Sequence, residues 1–221
     1  VKNILLNETP WVMEAKNETE RKQRLATLFD LNDLKQKGDV WVKKLADYRL
    51  ADGGYAWFKG CDYSSLHTSL FVTDNIGRLR KAGLDTKDVE KSLNVKATLH
   101  YLDGRLREEY DNMKKWKLTP HCSSSTLYYF QVRSLFPDVS LKQGTKEAYD
   151  YYFKLMAEKD EWESFSLYEK SLAAIALHRG GKSEVAKKIV ESLREHSSTT
   201  DEMGMYWKKN TSGWLWSESA I

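Results

Sequence analysis

The chain is short of residues that break helices and of residues that cross-link or hold metals. It has three prolines and twelve glycines in 221 residues. So few breakers leave room for long helices. Two cysteines, Cys61 and Cys122, make neither a disulfide framework nor a paired-cysteine metal knuckle. One bridge between them is open to the chain, but two buried free thiols are the simpler expectation. No apolar run approaches the ~18 residues of a membrane span. Nor does one charge dominate: 35 basic residues against 32 acidic give a net charge of +3. That balance lacks the electrostatic footprint of a nucleic-acid binder. The basic run Lys114-Lys115-Trp116-Lys117 therefore reads as a solvated helix end. Convincing strand alternation is also missing.

Aromatic rings are abundant instead, with eight tryptophans, twelve tyrosines and seven phenylalanines. Such rings suit thick helix–helix contacts or clefts that grip a ligand. The apolar residues repeat at helical spacing along most of the chain. Asn17-Glu18-Thr19-Glu20 opens the first run, with Asn17 or Thr19 as cap and both glutamates at the positive end of the helix dipole. Gly38 is expected to break it, and Val40, Trp41, Leu45 and Tyr48 resume the spacing. Buried-looking helices over 64–82, 121–136 and 165–179 alternate with more charged ones over 86–102, 145–157 and 183–196. A further charged helix is expected over 103–115. Leu66, Leu70, Phe71, Val72, Ile76 and Leu79 cover most of the 64–82 helix, which predicts deep burial all round. About nine helices in pairs, with no linker between them, predict one all-α domain over 1–221. One helix of each pair lines the inside and the other faces water.

The stretch "GGYAWF" at 53–58 interrupts this pattern. "LADGGYAWFKG" at 50–60 is echoed by "TDEMGMYWKKN" at 200–210, as a series of helix pairs would produce. Gly53 and Gly54 are expected to supply positive φ for the turn. Tyr55, Trp57, Phe58, Tyr206 and Trp207 are expected to plug seams between helix pairs, with a ligand or protein contact surface as the alternative.

Paired helices with glycine–aromatic turns resemble the α/α-toroid superfamily. More narrowly, "LLNETPWVMEAKNETERKQRLATLFDLN" (5–32), "LADGGYAWFKG" and "YWKKNTSGWLWSESAI" resemble segments of bacterial alpha-2-macroglobulin-like proteins of the Bacteroidetes type. The resemblance implies a thioester-type α/α-toroid domain, with helical hairpins in two layers and an incomplete ring. It also implies a non-catalytic part of a protease trap, or endopeptidase inhibitor, at the periplasm or cell surface of a Gram-negative bacterium. Partners would be other domains of the same parent chain, and proteases through the full-length protein. The family's thioester signature is Cys-x-Glu-Gln. Here Cys61 precedes Asp62-Tyr63-Ser64 and Cys122 precedes Ser123-Ser124-Ser125, so neither carries that chemistry. The chain starts at Val1 and ends on "GWLWSESAI", and reads as an excised segment of a longer protein. The thioester is then either upstream or absent from the parent.

Cys61, Asp62 and His67 cluster in sequence, and His121 adjoins Cys122, which invites zinc. Catalytic zinc needs three well-spaced ligands and an open position, and neighbouring helix positions point apart. Asp52, Asp62, Asp74, Glu169 and Glu202 are candidates for paired acid–base work on a polysaccharide, but no pair stands out. Ser123-Ser124-Ser125 has no nucleophile elbow and reads as a helix cap. The expectation is therefore no catalytic residue, metal or cofactor. An α/α-barrel enzyme acting on polysaccharide and a helical-repeat binding module stand as the alternatives.

Overall fold

The computed structural model describes residues 17–29, 31–202 and 204–207. Residues 5–16 and 30 of the "LLNETPW" segment (5–32) and nearly all of "YWKKNTSGWLWSESAI" lie outside the described residues. The described chain is all-α apart from one short hairpin. Two compact units divide it, Val1–Tyr48 and Arg49–Ile221.

In the first unit, α1 (Glu18–Phe29) and α2 (Leu31–Ala46) pack on each other. Asn17 is the cap of α1: its Oδ1 accepts the backbone N–H of Glu20 at 2.8 Å. Gly38 does not break the helix as expected. It sits exposed inside α2, at a cost of about 1 kcal/mol relative to alanine.

The second unit contains α3 (Leu66–Lys81), α4 (Lys87–Ser92), α5 (Val95–Trp116), α6 (Ser124–Arg133) and α7 (Lys146–Met156). After these come α8 (Lys159–Glu163), α9 (Leu167–Arg179) and α10 (Ser183–Glu195). Strands β1 (Ser198–Thr200) and β2 (Gly204–Tyr206) form an antiparallel hairpin, with Ser198 opposite Tyr206. Helices α3, α6 and α9 share a device: each starts on a serine that accepts a backbone N–H of its first turn. Ser65 accepts from Thr68, Ser123 from Thr126, and Ser166 from Glu169. Glu169 returns the bond to the Ser166 N–H, completing a capping box. Each such cap is worth about 1 kcal/mol.

These three helices pack in series, with α6 between α3 and α9. Each is followed by a partner that packs on it: α5 on α3, α7 on α6, and α10 on α9. Small residues permit the close approaches. Ala173, Ala174 and Ala176 of α9 are buried. A Cβ on Gly77 of α3 would lie 2.8 Å from Leu135 beyond the end of α6. The core combines aliphatic and aromatic packing, with Leu99, Leu127, Val132, Phe136, Met156, Leu177 and Ile189 all fully buried. One ion pair is sealed within it. Arg133 of α6 meets Asp103 of α5 at 3.1 Å, and their side chains are 4% and 0% exposed. Tyr129 and the Lys142 N–H also donate to Asp103, at 2.7 and 2.8 Å. Arg133 spends another N–H on the Phe136 carbonyl. The pair ties α5, α6 and the α6–α7 loop together with its polar atoms satisfied.

Several expected boundaries move. The break near 102–103 lies instead at Asn94, which adopts φ 45° and caps α5 through Ala97. Helix α5 then runs unbroken through Gly104 to Trp116. Helix α6 stops at Arg133, ahead of the expected stop at Pro137. Nor is α3 buried all round. It exposes His67, Phe71, Asn75 and Leu79, whereas α6 buries every residue from Thr126 to Arg133.

Candidate functional site

A cleft of about 410 Å³ opens beside the N-terminus of α6. Its apolar floor includes Leu66, Leu102, Leu106, Met113, Tyr129 and Tyr152, and Arg105, Glu108, Glu109, His121 and Ser125 supply polar lining. The chain folds this way because α5 carries Leu102, Leu106, Tyr110 and Met113 on one buried stripe, with Arg105, Glu108 and Asn112 on its exposed side. Glu109 falls at the margin between the two. There its carboxylate accepts Thr126 Oγ1 at 3.0 Å and Ser123 Oγ at 3.4 Å.

Two more carboxylates reach the same helix end. Glu161 accepts the Cys122 N–H, and Glu169 accepts Ser124 Oγ as well as the Ser166 N–H. Negative charge at a helix N-terminus is favourable, because the first N–H groups and the dipole point toward it. All three glutamates thus act as acceptors in fixed structural bonds. Cys122 lies among them, 3% exposed. Burial pushes its thiol pKa well up, and the charges of Glu161, Glu109 and Glu158 push the same way. Both effects favour the neutral thiol and weigh against a reactive thiolate. Its Sγ donates to the Tyr152 carbonyl at 3.7 Å, and both cysteines are free and buried.

The glycine–aromatic stretch divides into two parts. Gly53 has φ +94°, and a Cβ there would lie 2.5 Å from the Ala97 carbonyl oxygen. Gly54 is needed for a different reason than expected. Its φ is not positive, but a Cβ would collide with Ser64 at 2.6 Å. Asp52 closes the turn, accepting the Gly54 N–H at 3.0 Å and Ser64 Oγ at 2.6 Å. Tyr55 is 1% exposed. Its N–H donates to Ser69 Oγ, and its backbone bridges to Arg49 and Ser65. Trp57 and Phe58 are 66% and 55% exposed, so the seam-plugging expectation fails for them. Residues 57–60 are all exposed before Cys61 is buried again. Tyr206 and Trp207 are half-buried, and Trp207 Nε1 donates to the Leu193 carbonyl of α10 at 2.8 Å. Tyr206 ends β2 and Trp207 follows it, so the stretch forms a hairpin end where 53–58 forms a turn.

The remaining sequence candidates scatter. Asp62, His67, His121 and Glu202 are exposed. Cys61 donates to the Tyr63 carbonyl. Among the described residues no three His, Cys, Asp or Glu side chains assemble as metal ligands. Asp74 is buried between α3 and α6, where Arg78 Nε, Gln131 Nε2 and Tyr128 OH donate to it at 2.8, 3.1 and 3.2 Å. Sequence reading missed Glu109, one of 32 acidic residues; only its position at the edge of the α5 stripe singles it out. Comparison with protein-family models, with curated proteins and with solved structures finds no match to this chain.

Proposed function

We propose that the chain is a non-catalytic helical domain of an alpha-2-macroglobulin-like protease trap, and that its helix pairs form a sector of an α/α-toroid. The observation that carries this reading is the threefold succession of pairs, in which α3, α6 and α9 each start on a serine cap and pack in series. The ordered resemblance of 5–32, 50–60 and 206–221 to that family supports it from the sequence side. The cleft adds support of a different kind, because its buried-edge glutamate is tied to the hydroxyls of Ser123 and Thr126. In this reading the domain packs against its neighbours in a longer chain and works at the periplasm or cell surface.

The test is a two-substrate protease assay on the full-length natural protein. A trap leaves the enclosed protease active on a small peptide substrate and blocks its action on a large protein. Equal activity on both substrates would reject the proposal. The 221-residue chain alone should inhibit neither reaction, and inhibition by it would show that the chain acts directly on proteases.

A further inference from the structure

The cleft beside the N-terminus of α6 holds a charge that the protein leaves unpaired. Of its charged lining groups, Arg105 and Glu108 bond to each other. His121, the other basic group in the lining, is exposed and bonds to neither glutamate. Half-buried Glu109 therefore has no cation among the described residues. Its partners there are the hydroxyls of Ser123 and Thr126. Those two hydroxyls also lie 2.7 Å from each other. Each has one proton, so at most two protons serve about four lone-pair sites on the carboxylate. A second polar group is open in the same cleft. Tyr152 lines it and is 1% exposed, yet its hydroxyl has no hydrogen-bond partner among the described residues. Burial first, and then the charge of Glu109, raise its pKa, so the phenol stays protonated. An unpartnered buried hydroxyl is costly until a ligand or a water bonds to it.

We infer that this cleft binds a primary alkylammonium ion, with Glu109 as its counter-ion and Leu102, Leu106 and Met113 covering the hydrocarbon chain. An ammonium group has three donors and no acceptor. That matches a carboxylate short of donors and the free phenol oxygen of Tyr152. A carboxylate ligand would meet Glu109 as a like charge, and a neutral alcohol would forgo the charge-assisted bond. The volume of about 410 Å³ lies in the range of small-molecule sites. Binding is non-covalent and needs no catalytic group. The inference does not depend on the protease-trap reading, because the cleft lies wholly within the second unit.

The experiment titrates the 221-residue protein by ligand-observed nuclear magnetic resonance with n-hexylammonium, n-hexanol and n-hexanoate, which share one hydrocarbon chain. Hexylammonium should bind about tenfold tighter than hexanol, the advantage of a charge-assisted hydrogen bond over a neutral one. Hexanoate should bind most weakly. E109Q keeps an acceptor for Ser123 and Thr126, and should bring the hexylammonium Kd to that of hexanol. If E109Q does not fold, S125W serves instead. Ser125 is an exposed lining residue of α6, and an indole there should fill the cleft and abolish saturable hexylammonium binding. The inference is overturned if hexanol or hexanoate binds as tightly as hexylammonium, or if E109Q or S125W leaves the hexylammonium Kd unchanged.

Discussion

Two adjacent tyrosines on α6 point to two different buried carboxylates. Tyr129 donates to Asp103 and Tyr128 to Asp74. Around Asp103 the ion pair is closed: both side chains are at most 4% exposed, and the partners are fixed by α5, α6 and a loop. Around Asp74 the site is open. Its arginine partner is 62% exposed, and a neighbouring carboxamide oxygen is unpaired. Burial of a charged group alone therefore does not mark a site. Exposure of the cation separates a loose ion pair from a structural clamp.

The sharpest way to break this comparison is to neutralise each carboxylate. Asp103→Asn leaves Arg133 buried without its counter-charge and should cost about 3–5 kcal/mol. Urea unfolding measures this, and a loss under about 1 kcal/mol would end the view of Asp103–Arg133 as a closed clamp. The paired replacement Asp103→Leu with Arg133→Met should recover only part of the loss, since it avoids the ion-pair desolvation penalty but leaves Tyr129 OH and the Lys142 N–H without their acceptor. At the open junction Asp74→Asn should cost only about 1 kcal/mol, because Arg78 turns to solvent and the amide keeps hydrogen-bonding capacity. Equal losses for the two variants would erase the distinction.

Alkaline titration sharpens the same comparison. Burial raises the pKa of Tyr128 and Tyr129, and Asp74 and Asp103 respectively add to the rise. Tyr55 is pushed up to about 12, again first by burial. Unfolded tyrosine ionises near 10. Between the two values the unfolded chain binds fewer protons than the folded one, so stability falls as pH rises. The contribution is complete below pH 10 and is lost from there upward. Tyrosinate absorbance should therefore rise late and together with unfolding. A full tyrosine titration centred at pH 10 in a chain that stays folded would contradict the buried network. Tyr128→Phe should delay the onset only slightly.

The parts of the fold that were legible in the sequence are those set by local periodicity and caps. Lys146–Met156 falls within one residue of the expected 145–157 at each end, and Ser65 and Ser123 cap where hydroxyls precede apolar runs. Gly38 misled, because a helix tolerates an exposed glycine when its neighbours are good helix formers. The break at Asn94 depends on a left-handed residue whose side chain caps the next turn, which composition does not display. Strands of three residues are too short to alternate visibly. The polar junctions were illegible for a different reason. Asp103 and Arg133 are 30 positions apart, and Asp74 and Gln131 are 57 apart. Only the packing of α3, α5 and α6 brings them together.

The smallest expected effect concerns the stretch that interrupts the helical pattern. Asp52, Gly53, Gly54 and Tyr55 form a joint in which every group is spent on a turn, a close approach or a buried bond. Trp57 begins the exposed part, where two-thirds of its surface meets solvent. Truncating it removes little buried area, so Trp57→Ala should change stability by no more than about 0.5 kcal/mol. Tyr55→Ala, two residues earlier, is the buried control and should be plainly destabilising. A large loss at Trp57 in a denaturant melt would mean that the ring is covered in solution. A small loss makes Trp57 and Phe58 free apolar surface beside a rigid turn. The same six residues would then contain both a structural joint and an accessible face, divided between buried Tyr55 and exposed Trp57.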